Sequence, residues 1–416
     1  MKSEQQDLPS SQVFFTQALA GLAAKLDLEA ARDFRRDIHA HPELGYEEFR
    51  TADRIAEQLQ SWGIEVHRGL GGTGLVGVIR AGHSPRAIGL RADMDALPIQ
   101  EHNQFAHASR HPGKMHACGH DGHTAMLLAA AQYLAAQRSF DGTVYCIFQP
   151  AEEGGGGADA MIKDGLFERF PMQAVYGLHN WPGLPAGQFA VSPGPVMAAF
   201  DTFQIVIEGK GCHAALPHLG LDPVPVAAQM ILAFQTILTR NANPLDAGVL
   251  SVTTVHVGKA KNVIAERCEL TGTLRTFSAE LMALIQRRMR EIAEHTCLAH
   301  GMRCDISFTS GYPAMVNDAE QAAFCRQVMV DMLGAENVLV QAPVMGAEDF
   351  AFMLQQRPGC YAFIGNGGDD HRERGHGAGP CMLHNASYDF NDAILGLGSS
   401  YWVRLVEKAL PVASEA

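Results

Sequence analysis

The 416 residues contain no run of five or more Lys/Arg, no C-x-x-C pair and no internal repeat or low-complexity tract. Nor is there an uninterrupted apolar stretch of the ~18 residues that a membrane-spanning helix needs. Each absence removes a class. With 45 acidic against 32 basic residues, a net charge of −13, and no local basic cluster, the chain has nothing with which to grip a phosphate backbone, so no nucleic-acid partner is expected. No membrane association is expected either. The opening "MKSEQQDLPSSQVFFTQALAGLAAKLDLEA" lacks a basic segment leading into a clean apolar core and cleavage site, and reads as an amphipathic helix. Its nine cysteines, odd in number and scattered, fit reduced thiols rather than a disulfide framework, which makes the cytoplasm the expected location.

What is present is core material. Hydrophobic residues make up 47% and charged residues 19%, and the length exceeds what one hydrophobic core organises, so two domains are expected. After solvent-edged helices across "AARDFRRDIHAHPELGYEEFRTADRIAEQLQSWG" comes an alternation of short strands and helices. "GLVGVIR", "AIGLRADMDALP", "GTVYCIFQP" and "AVYGLHNWP" read as strands; "GHTAMLLAAAQYLAAQ" and "GADAMIKDGLF" read as helices. That alternation predicts an α/β domain, a mainly parallel sheet with helices on both faces. From about residue 194 to 313 the order becomes β-α-β-β-α-β, a ferredoxin-like unit inserted into the first domain, which comprises residues 1–193 and 314–416. A final helix is expected from about Asp389 to Leu410.

Residues 116–123, "HACGHDGH", put a cysteine, three histidines and an aspartate within eight positions. Cys118 and His120 are two apart, so they share no helix face but can point the same way from an extended segment, with Gly119 allowing a bend and Asp121 placed to cap the following helix. A thiolate and an imidazole so spaced suit Zn²⁺ or a similar borderline ion. Three other strand-end loops add donors. "QPAEEGGGG" carries Glu152 and Glu153, which as neighbours aim in different directions, so that one can bind metal while the other faces substrate. "GLHNWP" places His179 at a strand end, and "CMLHNASYDF" places His384 before the last helix. A cysteine hydrolase with Cys118 as nucleophile, and a catalytically silent metal-holding protein, are the rivals from other classes.

In order along the chain, "RRDIHAHPELGYEE", "LRADMDALP", "HACGHDGHTAMLLAAA", "FQPAEEGGGGA", "GLHNWP", "GKGCHAALPH", "GAEDFAFM" and "LHNASYDFND" resemble the M20 metallopeptidase family, in the amidohydrolase branch with hippurate hydrolase, N-acyl-amino-acid amidohydrolases and auxin-conjugate hydrolases. The resemblance implies two divalent metal ions per subunit (Zn, Mn, Ni or Co) held by Cys118, His120, Glu153, His179 and His384, with Glu152 as general base and Asp95 orienting a ligand from behind. It also implies that Asp93 stands where the wider family has a metal-binding histidine and that Cys118 takes the bridging role. In the inserted domain it implies that His213 stabilises an oxyanion, and that Asn262 and Arg275 bind the substrate carboxylate. His256 is read as structural. The activity implied is hydrolysis of N-acyl amino acids by a homodimer, with His213 reaching the neighbouring subunit; a dipeptidase or aminopeptidase with the same metal site is the alternative.

Overall fold

A computed structural model of the chain describes residues 21–369, 371–372 and 374–412. The expected N-terminal helix lies, for residues 1–20, outside the described residues. The chain divides into two compact units, one of residues 1–194, 316–342 and 352–416, the other of residues 195–315 and 343–351.

The first unit is built on an eight-stranded sheet in the order Glu65–Leu70, Gly74–Ala81, Gly142–Gln149, Ala87–Asp93, Ala174–Pro182, Gly359–Gly367, Phe189–Ala190 and Val338–Leu339. Its centre is parallel: Ala87–Asp93 runs parallel to both neighbours, and Gly359–Gly367 runs parallel to Ala174–Pro182. Antiparallel pairs extend it at one edge, where Gly74–Ala81 pairs with Glu65–Leu70 and Gly142–Gln149. Every residue of Ala87–Asp93 and of Gly359–Gly367 is buried, as expected of strands covered on both faces. The helix His120–Gln137 is buried along most of its length, and a side chain at Gly122 would strike the Phe390 ring at 2.2 Å.

The strand read over residues 174–182 forms as Ala174–Pro182, with His179 inside it, opposite Phe363, rather than at its end. One boundary differs from expectation. The last helix is Leu395–Ala409, preceded by a 3₁₀ turn, Asp392–Ile394, that Asn391 caps by accepting from the Ala393 N–H. Asp121 departs from its expected role as well. The helix it was to cap starts after Gly119 with no side-chain cap, because the Asp121 carboxylate is turned inward.

That carboxylate meets Arg35, which is fully buried on the helix Leu28–Ala40. The guanidinium lies 3.0 Å from Asp121, 3.4 Å from Asp389 and 2.5 Å from Asp392. His39, one turn on, bridges Asp121 at 2.8 Å and Glu101 at 3.3 Å. Burial pushes its imidazole down, but the two carboxylates outweigh burial and hold it up at about 10. Asp121 is buried too, yet His39 and Arg35 keep it well below the usual carboxylate range. One helix is thereby fastened to the start of another and to the segment before the last.

The second unit has the expected element order. Its antiparallel sheet runs Gly248–Val257, Arg267–Thr276, Ala199–Glu208, Arg303–Ser310, with helices Pro223–Arg240 and Ala279–Ala299. Alternate residues of Arg267–Thr276 are buried, and Leu270, Leu274 and Cys268 share a core with Phe234, Ile285 and Met289 of the helices. Residues 343–351, assigned by sequence to the first domain, belong to this unit instead: Val344 O accepts from Ala198 N at 3.2 Å and Met345 O from Arg275 at 2.7 Å. Backbone pairing of this kind leaves no mark in composition.

Replacing Arg35 by Ala removes the guanidinium shared by the buried Asp121 and Asp389 and the half-buried Asp392, and should cost about 3 kcal/mol or more in a denaturant or thermal melt. Arg36→Ala removes an ion pair to the same Asp392 from a side chain 40% exposed, and should cost less than about 1 kcal/mol.

Candidate metal centre

Four segments of the first unit bring their donors together. Cys118 Sγ lies 3.4 Å from His179 Nε2, and His384 Nε2 lies 3.1 Å from Glu153 Oε1. Cys118, Glu153 and His384 can each offer an atom within 4.8 Å of the others, as can His120, Glu152 and Glu153. All five expected ligands and Glu152 therefore converge.

Hydrogen bonds aim the imidazoles. His179 Nδ1 donates to the Asn180 carbonyl at 2.6 Å, which leaves its Nε2 lone pair facing Cys118. His120 Nδ1 donates to the backbone carbonyl of Asp95 at 3.0 Å and to its carboxylate at 3.1 Å. Its Nε2 is buried without a hydrogen-bond partner among the described residues, and so is Glu153 Oε1. Buried polar atoms left this way are costly unless something binds them. Asp95 also accepts from the Glu153 N–H, at 2.9 Å, so one carboxylate orients two ligands.

Two residues of the cluster are already committed. His123 Nε2 accepts from the Asn180 N–H at 2.9 Å, so its proton sits on Nδ1, which donates to Asp93 at 2.6 Å. The other Asp93 oxygen is bound by Arg91 at 2.8 Å. His123 and Asp93 therefore brace the site although both fall within ligand distance of His120 and His179. Sequence reading missed the bracing role of His123, Asn180 and Tyr388. Asn180 donates to the Cys118 carbonyl at 2.7 Å and accepts from Tyr388 Oη at 2.8 Å. The only signal was their place inside "GHDGH", "LHNW" and "SYDF".

Gly119 explains itself through this brace. Its φ of +93° is the left-handed conformation glycine tolerates, and a Cβ there would lie 2.2 Å from Asn180 Nδ2 and 2.4 Å from Tyr388 Oη. His384 also sits left-handed, at φ +62°, with its N–H donating to Ala117 O at 2.8 Å, which ties the last ligand loop to the first.

The electrostatics call for a cation. Burial, then Glu153 and Glu152, push the Cys118 thiol well above its ordinary value. His120 is pushed down by burial, but Asp93 and Asp95 hold it up at about 10. His179 is lowered by burial and by His123, so its ring is neutral. A thiolate, three imidazoles and a carboxylate, with a buried bare nitrogen and oxygen among them, fit two divalent ions of borderline softness.

The residues expected to touch substrate lie in the second unit. His213 and Asn262 are neighbours: Cys212–His213 pairs with Val263–Ile264, and Asn262 O accepts from Ala214 N at 3.0 Å. Both are exposed. Arg275 is half-buried over the Phe200 ring and lies at the other end of the sheet, paired with Phe200, whereas the ribbon carrying His213 springs from beyond Glu208. Eight residues of strand separate those ends, about 26 Å.

Residues 89–408 match the family model of peptidase family M20/M25/M40. Hippurate hydrolase of Campylobacter jejuni is 38% identical over 387 residues, 92% of this chain and 98% of that one. N-acetyl-L-cysteine deacetylase of Bacillus subtilis is 42% identical over 336 residues, 80% of each chain. Among solved structures, the Bacillus subtilis YxeP protein, described as a dinuclear metal binding peptidase from the M20 family, superposes with a TM-score of 0.78 at 32% identity, covering 91% of this chain and 97% of that one.

Ligation by Cys118 and by His120 Nε2 each displaces a proton, because the thiol is neutral and the His120 ring charged below about 10. Metal affinity should therefore rise with pH through the neutral range, by up to about a hundredfold per unit for two protons. Competition against a chelator of known affinity measures this. A flat profile would remove both residues from the ligand set.

Proposed function

The chain belongs to the M20/M25/M40 peptidase family as a metal-dependent hydrolase of linear amides, and from that premise we propose that it cleaves N-acyl amino acids of the N-benzoylglycine or N-acetyl type. The observation that carries the reading is the turn Glu152–Glu153. It sets one carboxylate among the five donors and a second, buried one beside it, within reach of His120. The two relatives named above, whose names specify N-benzoylglycine and N-acetyl-L-cysteine, support an acylated amino acid over a free peptide.

When bound, two divalent ions supply an acidified water and polarise the amide carbonyl. Glu152 takes the proton from the attacking water and hands it to the nitrogen of the departing amine, which is otherwise a poor leaving group. Glu153, fixed through its backbone by Asp95, stays a ligand. His213 Nδ1 accepts from the Ala215 N–H at 3.0 Å, so its Nε2 carries a proton and can donate to an oxyanion. Arg275 spends one N–H on Met345 O and has others to offer a substrate carboxylate.

Since Arg275 lies a sheet's length from His213 and Asn262, one small substrate touching all three needs two copies of the chain. The second unit offers the means: Gly248–Val257 is an edge strand, with Val255 exposed on it and Leu232 71% exposed on the helix Pro223–Arg240. We read the protein as a homodimer in which His213 and Asn262 complete the partner's site. No described helix is long and apolar enough to cross a membrane. The nine cysteines are all free, which supports a reducing compartment such as the cytoplasm.

Glu152→Gln should lower turnover at least about a hundredfold at unchanged metal content, whereas Glu153→Gln should lose metal in elemental analysis. The reverse pattern would mean the two carboxylates exchange roles. Glu152→Ala and His213→Ala, each nearly inactive, should together regain about a quarter of wild-type activity once equal amounts of subunits have exchanged, because one site in each mixed dimer inherits neither defect. Proven exchange without recovered activity would confine His213 to its own chain.

A further inference from the structure

The turn that carries Glu152 and Glu153 contains a strained residue. Ala151 is buried with φ +50°, a left-handed conformation that a residue with a Cβ avoids at a cost of about 1–2 kcal/mol. Such a residue persists only where its surroundings over-determine it. Beside the Gly157 N–H, which donates to the Ala151 carbonyl at 3.1 Å within the turn itself, the surroundings are one segment, residues 45–48. Glu48 Oε1 accepts from the Ala151 N–H at 2.8 Å, and its other oxygen accepts from Thr73 Oγ1 at 2.6 Å. Tyr46 Oη donates to Gly155 O at 2.7 Å, closing the far side of the turn. Gly45 lies so close that a Cβ on it would stand 3.1 Å from Ala151 Cα.

Glu48 is an unusual choice for this task. It is fully buried, and its partners here are hydrogen-bond donors rather than a cation. Burial, reinforced by nearby Asp95, holds its carboxyl up at about 7. A neutral side chain would satisfy one donor more cheaply; two oxygens accepting at once hold a backbone N–H in one direction.

We propose that Glu48 is a positioning residue for the hydrolysis: its buried carboxylate holds Ala151 left-handed and so sets the directions in which Glu152 and Glu153 leave the turn. The proposal rests on the reading of Glu152 as proton carrier and Glu153 as ligand given above. Glu48 touches neither substrate nor donor atom. It acts through the Ala151 peptide.

The test is a double-mutant cycle on the full chain loaded with Co²⁺, using Glu48→Ala, Ala151→Gly and the pair together. Glycine takes φ > 0 without steric cost, so it should replace the restraint that Glu48 supplies. Glu48→Ala should lower kcat for N-benzoylglycine about tenfold or more with KM changing less than about threefold. It should also shift the visible absorption of the bound Co²⁺ and weaken binding of the ion held by Glu153. Ala151→Gly in that background should restore most of both signals, and Glu48→Gln, which keeps one oxygen toward Ala151 but gives up the second acceptor at Thr73, should fall between Glu48→Ala and wild type. A folded Glu48→Ala protein with wild-type kcat and cobalt spectrum overturns the proposal, as does a loss that Ala151→Gly fails to lessen. Should Glu48→Ala not fold in a thermal melt, Thr73→Val, which frees one Glu48 oxygen, takes its place; a smaller shift of the same sign supports the proposal and none refutes it. If the wild-type protein cleaves no N-acyl amino acid, the substrate reading fails, and the cobalt titration still decides the role of Glu48.

Discussion

The first unit depends on how negative charge is balanced where its strands end. Asp93, Asp95, Asp121, Asp389, Glu48, Glu101 and Glu152 are all buried there, and carboxylates taken out of water must be paired or bound. At the back the pairing is with permanent cations and with His39, which bridges Asp121 and Glu101. Arg35 neutralises Asp121 and Asp389, and Arg91 neutralises Asp93. At the front it is with imidazoles: His120 faces Asp95 and His384 faces Glu153. Imidazoles can give up their charge and thiols can acquire one, so the front, where Cys118 joins the imidazoles, is suited to exchange protons for metal.

This division also accounts for Asp93. Where the wider family is expected to have a metal-binding histidine, an aspartate here has one oxygen committed to Arg91 and the other to His123. Through His123 it reaches Asn180, and through Asn180 the Cys118 carbonyl and Tyr388. Asp93 thus holds the loop that delivers Cys118 and His120. A thiol at 118 brings a potential negative charge and a soft donor to a site where both Asp93 oxygens are taken up by Arg91 and His123.

What the sequence made legible were features whose signal is local. Alternating strands and helices announce a parallel sheet because each element carries its own period, and "HACGHDGH" or "AEEGGGG" gather donors within a few residues. The second unit's element order was readable for the same reason. What it hid were long-range polar pairs. Arg35 and Asp389 are 354 positions apart and Asn180 and Tyr388 are 208 apart, and one buried ion pair leaves no periodicity behind. Asp121 looked like a helix cap since an acidic residue at a helix start usually is one; only the folded chain brings up the arginine that claims it. His179 looked like a strand end, although the strand read over residues 174–182 runs on past it to Pro182, paired with Gly359–Gly367. Residues 343–351 join the second unit through backbone pairing of Val344 and Gly346 with Val196 and Ala198 and through the Met345 carbonyl that Arg275 binds.

Strain is distributed along the same lines. Among the described residues the left-handed positions without glycine are Tyr46, Arg138, Ala151 and His384, and three of these lie in or against the ligand loops. Gly119, also left-handed, separates Cys118 from His120. Each such turn redirects consecutive side chains that a regular strand would send to opposite faces. Each is also held by a contact from the protein itself: Gly119 by the Asn180–Tyr388 pair packed against it, Ala151 by Glu48, and His384 by the Ala117 carbonyl. The backbone of the site is therefore held by hydrogen bonding and packing from the protein's own residues. Turns held in this way leave little backbone freedom to be lost when the donor side chains take up a ligand, which favours a fixed geometry among Cys118, His120, Glu152, Glu153 and His384.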